Sequence, residues 1–192
     1  LITGGLGYIG SSLIQHFKGE YNLIVVDNLM YNQMPLVYPI LNDVEFHKLD
    51  VVNDGQQVAD LAKRADVVIP LAALVGAPLC KKYPNDAKMV NLDAVKHLVS
   101  SLRDDQLVIF PNTNSGYGDT GGAICTEETP IKALSLYGST KDEAEKFVLY
   151  HNNSVVFRLA TVFGYSPRPR LDLLGNTLAW EAYCGIMEIF DD

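Results

Sequence analysis

Cysteine is scarce in this chain: Cys80, Cys125 and Cys184 are three among 192 residues, far apart and without a C-x-x-C spacing. So odd and scattered a set excludes a disulfide framework and a thiolate zinc site, and it fits a reducing compartment, so the expected location is cytoplasmic. Histidine does not cluster either, at His16, His47, His97 and His151, and no metal is expected. Positive charge is in deficit, with 15 Lys and Arg against 23 Asp and Glu and a net charge of −8. That balance gives no electrostatic footprint for nucleic acid or an anionic membrane surface, so neither is expected as a partner. Long apolar runs are also missing: residues 67–80 are interrupted by Pro70, Gly76 and Pro78 and are too short to span a bilayer. No signal or transit pattern, internal repeat or low-complexity segment is present. The chain opens on Leu1 without a methionine and closes on the apolar run 186–190, which reads as a strand just beginning. The expectation is an N-terminal stub and a C-terminal segment beyond both ends.

What the chain does contain is ordinary for a globular protein, 48% apolar and 20% charged residues, enough for one filled core. Its opening, Thr3-Gly4-Gly5-Leu6-Gly7-Tyr8-Ile9-Gly10, reads as a strand-to-helix turn that receives a pyrophosphate. Gly4 allows a tight turn, Gly7 clears the approach of phosphate, and Gly10 lets the helix sit near the sheet. Ile9, Leu13, Ile14 and Phe17 recur behind it at helical spacing. Seventeen residues past Gly10, the apolar run 23–26 ends in Asp27, where the second strand of a nucleotide-binding βαβ unit should stop. A carboxylate there can accept both ribose hydroxyls of NAD and repels the 2′-phosphate of NADP. Asn28, next to it, belongs to the same candidate cofactor site.

Strands are expected at 44–50, 67–71, 107–110 and 155–159, and a loop with a short helix at 28–42. Asp54 reads as the N-cap of a helix with Val58, Leu61 and Ala62 on its apolar face. The longest helix should run over 84–103, opened by Pro84, and another over 136–150. Strands alternating with helices of this length predict an α/β, Rossmann-type, doubly wound parallel sheet with helices on both faces.

Tyr137-Gly138-Ser139-Thr140-Lys141 carries the chemistry. On a helix, the i, i+4 spacing puts a phenol and an ammonium on one face. The cation is expected to favour the phenolate; bringing a tyrosine from about 10 to about 7 takes on the order of 4 kcal/mol, which Lys141 together with the positive nicotinamide ring is expected to supply. A third participant, a hydroxyl at the C-terminal end of the fifth strand, is Thr113, with Ser115 as the alternative.

The order of these motifs resembles the extended short-chain dehydrogenases/reductases, within them the NAD-dependent nucleotide-sugar epimerases and dehydratases. The marks are residues 3–10, Asp27, Leu49-Asp50-Val51, Leu71-Ala72-Ala73, Asn91, 113–118, 137–141 and 158–164. The resemblance implies that Asp50 and Val51 lie near the adenine, that Leu71, Ala72, Ala73 and Asn91 belong to the cofactor site, and that Tyr137 and Lys141 stand at the nicotinamide. It implies Thr113 on a substrate hydroxyl, with Asn114, Ser115, Thr161, Arg168, Arg170 and Asn176 as substrate-binding candidates. Residues 1–165 would form the NAD-binding domain and 166–192 the start of a substrate-binding region, with a homodimer as the expected assembly.

Two departures matter. The family's C-terminal substrate domain is largely missing from this sequence, which puts the sugar and the nucleotide out of reach, and the end of the fifth strand differs. The family's 4,6-dehydratases resemble Thr-Asp-Glu where this chain has Thr113-Asn114-Ser115, and without that acid–base pair dehydration is disfavoured. The implied function is epimerisation of a nucleotide sugar, a 4-epimerase first, by transient hydride transfer to bound NAD through a keto-sugar. The alternatives are a nucleotide-sugar dehydrogenase or reductase with net cofactor turnover and a non-catalytic NAD(P)-sensing regulator. Intact Tyr137, Lys141 and Thr113 speak against the regulator.

Overall fold

Six apolar runs pair as one parallel sheet in the computed structural model of the chain, which describes residues 1–186. The strands are β1 (Ile2–Thr3), β2 (Ile24–Asp27), β3 (Glu45–Lys48), β4 (Val67–Pro70), β5 (Leu107–Thr113) and β6 (Ser154–Leu159), in the order β3-β2-β1-β4-β5-β6. Every pairing is parallel, so each connection must cross a face of the sheet. The crossovers carry α1 (Tyr8–Phe17), α2 (Met34–Val37), α3 (Gly55–Ala62), α4 (Ala77–Lys82), α5 (Pro84–Lys88), α6 (Ala94–Ser100) and α7 (Leu136–Val148), and α8 (Leu174–Cys184) follows β6. This is the expected doubly wound α/β fold.

Strand alternation divides the core between two faces. Val25 of β2 and Ile2 of β1 pack with Leu6, Ile14, Val37 and Ile40 on one side of the sheet. Ile24 and Val26 pack with Val58, Ala62, Val68 and Leu98 on the other. Farther along, Val108 and Phe110 of β5 meet Leu92, Val95, Val99, Ala144 and Val148, which fixes α7 against the strand it serves.

Several local expectations change. The helix predicted over 84–103 is one continuous stretch that ends at Ser100 and is interrupted by a π-helical turn at Met89–Asp93. A π turn inserts one extra residue and re-aims the side chains around it. Here it buries Asn91, whose Oδ1 accepts from the Leu74 N–H (2.8 Å) and whose amide donates to the Leu74 carbonyl (3.0 Å). Asp54 precedes α3 but makes no side-chain cap; its carboxylate instead accepts from the Asp50 N–H at 2.8 Å. β5 runs three residues past its apolar core to end on Thr113. The strand expected at 186–190 lies outside the described residues beyond Ile186.

Candidate active site

The carboxyl ends of β1, β2, β4, β5 and β6 open onto one cleft of about 670 Å³. It sits over the β1–β4 boundary, where the chain's winding reverses and open α/β sheets hold their ligands. The glycine turn forms its floor. Gly4 has φ +65°, and a Cβ there would lie 2.6 Å from the backbone of Ala72; a Cβ on Gly10 would lie 2.5 Å from the Gly5 carbonyl oxygen. Only glycine permits that packing. A Cβ on Gly7 would meet nothing closer than the Gly4 carbonyl at 3.2 Å, so this position faces the open cleft. At the start of α1, the N–H groups of Tyr8, Ile9 and Gly10 precede the first helical acceptor and lie along the same wall, a donor set suited to a phosphate.

Asp27 closes the far end. Its carboxylate, on a residue 8% exposed, accepts from the Leu6 N–H (3.0 Å), the Leu29 N–H (2.8 Å) and the Gln33 amide (3.1 Å). Burial pushes its pKa up; the three donors and Arg168 oppose that. A carboxylate has about four acceptor sites, so the expectation that Asp27 serves both ribose hydroxyls alone is narrowed to about one free site. Asn28 donates to Asp50 at 2.8 Å, joining the ends of β2 and β3; that bond and the N–H groups of Asn53 and Val52 hold the Asp50 carboxyl below its ordinary value although burial acts the other way.

Tyr137 and Lys141 share the cleft-facing side of α7, whose first turn is capped by Ser135 accepting from the Gly138 N–H at 3.1 Å. The electrostatics differ from the expectation. Lys141 Nζ donates to the Pro111 carbonyl at 2.8 Å and lies 3.9 Å from the Phe110 ring centroid. Burial brings its pKa down to about 7. The Tyr137 phenol is pushed up, by burial first and by the Cys80 thiol second, and the cation that draws it down is Arg170. Lys141 is turned to the Pro111 carbonyl and is not among the groups that act on the phenol; of the chain's own cations, Arg170 is the one that does. At the end of β5, Thr113 Oγ1 donates to Ser115 Oγ (3.0 Å) and accepts from the Ser115 N–H (3.1 Å), so the two candidate hydroxyls form one unit.

Of the residues singled out from the sequence, Gly4, Gly7, Tyr8, Ile9, Gly10, Asp27, Asn28, Asp50, Val51, Leu71, Ala72, Ala73, Thr113, Asn114, Ser115, Tyr137, Lys141, Thr161, Arg168 and Arg170 line this cleft. Two do not. Asn91 stands behind it as the clasp on Leu74, and Asn176 is a strut that accepts from the Gly164 N–H (2.8 Å) and donates to Tyr8 Oη (3.0 Å) and the Arg170 carbonyl (2.9 Å). Sequence reading missed Gln33, which holds Asp27, and Tyr31, whose ring centroid lies 4.6 Å from the Arg168 guanidinium. It also missed Asp172, paired with Arg170 at 2.6 Å. Loop side chains such as these carry no periodic signal.

The segment 164–170 is laced to α1. Tyr8 Oη donates to the Gly164 carbonyl (2.6 Å), Ser166 Oγ donates to the Tyr8 carbonyl (2.7 Å), and the hydroxyls of Ser11 and Ser166 are 2.9 Å apart.

Fold and cleft together define a dinucleotide-binding α/β domain with a Tyr-x-x-x-Lys helix at the mouth of its glycine turn. The pattern of the NAD dependent epimerase/dehydratase family matches residues 1–179, and the chain belongs to that family. Among curated relatives, a UDP-glucose 4-epimerase of Cyamopsis tetragonoloba is 30% identical over 152 residues, covering 73% of this chain and 43% of that protein. UDP-arabinose 4-epimerase 1 of Arabidopsis thaliana is 28% identical over 193 residues, covering 89% and 44%. A crystal structure of UDP-glucuronic acid 4-epimerase from Bacillus cereus in complex with NAD superposes with a TM-score of 0.80 at 26% identity, over 96% of this chain and 62% of that one. The chain thus spans about half the length of the curated relatives it matches. Among the described residues no helix is long and apolar enough to cross a membrane, and no His, Cys, Asp and Glu cluster has metal-ligand geometry.

Proposed function

We propose that this chain is the NAD-binding part of a nucleotide-sugar epimerase, with a 4-epimerase favoured, residues 1–165 forming the cofactor domain and 166–192 opening the substrate region. The observation that carries the reading is the convergence, in one cleft, of the Gly7–Gly10 donor set, Tyr137 with Lys141, and the Thr113–Ser115 hydroxyls. The names of the relatives support it, since they are 4-epimerases of UDP-sugars.

In this reading the start of α1 holds the pyrophosphate of NAD and Asp27, with its remaining acceptor site, a ribose hydroxyl. Bound NAD would supply a reversible hydride acceptor for the sugar carbon. Tyr137 accepts the proton of the adjacent sugar hydroxyl, with the positive charge of Arg170 favouring its ionised form. Thr113 holds that hydroxyl and Lys141 binds the nicotinamide ribose. After the keto-sugar turns over, Tyr137 gives the proton back. Asn114 and Ser115 stand where a dehydratase needs carboxylates, so water elimination has no acid–base pair here. The expected partner is a nucleotide sugar, and the expected assembly a cytoplasmic homodimer.

The test follows the hydride. An epimerase regenerates its cofactor on the enzyme, so catalytic NAD suffices and the absorbance of free NADH stays flat during turnover of a UDP-sugar. One NADH formed or consumed per product would hand the case to a dehydrogenase or reductase.

Cofactor choice gives a separate expectation. A 2′-phosphate against the Asp27 carboxylate costs several kcal/mol, so NAD binds at least about 100-fold more tightly than NADP. Asp27→Asn narrows the gap while keeping the acceptor for Leu29 or Leu6, which Asp27→Ala would orphan. Calorimetric titration of both dinucleotides measures it, and equal affinities in the unmodified protein refute the role of Asp27.

A further inference from the structure

Behind the cleft, α7 carries a second buried group that the proposed reaction does not use. Glu145 lies four residues after Lys141 and is 3% exposed. Its carboxylate accepts from Arg158 of β6 through Nη2 at 2.6 Å and Nε at 3.0 Å, and it also accepts from the side-chain amide of Asn112 on β5. Asn112 then turns its other face to the reaction centre, its Oδ1 accepting from the Thr113 N–H at 2.8 Å. Arg158 is itself fixed by donating to Tyr117 Oη and to the Glu127 carbonyl, each at 3.1 Å. A buried ion pair adds little stability over well-packed apolar side chains, so its placement is better explained by what it orients.

We propose that Glu145 is a positioning residue for the cleft: through Asn112 it sets the backbone that presents Thr113, and one helical turn along α7 from Lys141 it supplies a negative charge that acts on the buried ammonium. The second arm follows from the surroundings of Lys141. Burial acts against its charge, and Glu145 is the anion that opposes burial. The other groups around this end of α7 are the neutral Tyr137 on the same helix, Cys80 of α4, Tyr117 after β5, and the cations Arg158 of β6 and Arg170 of the 164–170 segment. Asp142 is engaged elsewhere, with Lys146 at 2.6 Å. β5 contributes no titratable group here, only the Phe110 ring, the Pro111 carbonyl, Asn112 and Thr113. Asp172, in the same cleft, is paired with Arg170 at 2.6 Å, and Glu145 is the anion that acts on Lys141.

The proposal rests on the assignment of Tyr137, Lys141 and Thr113 above, and its test reads the side chain directly. With lysine labelled by carbon-13 at Cε, the Lys141 resonance should titrate near its lowered value of about 7. Glu145→Gln should lower that midpoint by about one unit or more and shift the Thr113 amide resonance. Because the single change leaves Arg158 unpaired, the double variant Glu145→Gln/Arg158→Met removes both charges; it should lower the midpoint by less than the single variant, since losing the Arg158 cation acts the other way. Asn112→Ala keeps the ion pair and should move Thr113 while leaving Lys141 in place. An unchanged midpoint in Glu145→Gln overturns the proposal. So does a midpoint in Asn112→Ala that falls as far as in Glu145→Gln, since that would be general loosening. If Tyr137→Phe retains turnover of a UDP-sugar, the functional reading fails whatever Lys141 does; if it is inactive and the midpoint does not move, only the role of Glu145 fails.

Discussion

Tyr137→Phe is expected to lower turnover by about 10²–10⁴-fold, the usual contribution of a positioned acid–base group, with the Kd for NAD changed by no more than about twofold. The substitution removes one oxygen. The ring packs against the cluster of Leu74, Cys80 and Ala87, and phenylalanine keeps those contacts. Burial already disfavours the ionised phenol, so a ring that cannot ionise carries no desolvation penalty and the fold is not weakened. The expected signature is a loss confined to kcat. Steady-state kinetics beside calorimetric titration of NAD would show it, and a variant that kept most of its rate would remove Tyr137 as the base.

Arg158→Met should be the most damaging single change to stability outside the apolar core. The Glu145 side chain is 4% exposed and draws most of its stabilisation from the bidentate guanidinium. Deleting one partner of such a pair leaves an uncompensated buried charge, at a cost of about 3–5 kcal/mol. In a domain of this size that corresponds to a drop in Tm of roughly 6–20 °C. Adding Glu145→Gln should recover much of the loss, because no orphan charge is left. Chemical and thermal denaturation of both variants checks this; a loss under about 1 kcal/mol for the single variant would contradict it.

The sheet was legible because its signals are local. β2, β4, β5 and β6 are β-branched runs between breakers, and the glycine turn reports its own geometry through the need for φ +65° at Gly4 and for contact without a Cβ at Gly10. Tyr137 and Lys141 could be read because i, i+4 spacing becomes a shared face on any helix. The misses are long-range. Nothing near Glu145 in the sequence points to Arg158, and both look like ordinary charges until β6 is laid beside β5. Asn91 was placed in the cofactor site because its motif was visible, whereas the π turn that directs it to Leu74 was not. The direction of Lys141 depended on where the Pro111 carbonyl ended up, a product of how far β5 extends.

The lacing of the 164–170 segment to α1 bears on the order in which the protein takes shape. The bonds from Tyr8 and Ser11 to Gly164, Ser166 and Asn176 join residues 155 to 168 positions apart, among the most distant contacts in the chain. Closing loops of that length is entropically costly and slow compared with forming a helix or adjacent strands. During synthesis, Ser11 of α1 emerges 155 residues ahead of Ser166, so the glycine turn waits for that segment before its outer wall exists. Sheet strands β1 to β4 can assemble around the turn early, leaving the phosphate donors of α1 exposed to water in the nascent chain. The dinucleotide cleft is therefore a late product of folding, and a ligand that bridges its two walls would favour the completed state over every shorter intermediate.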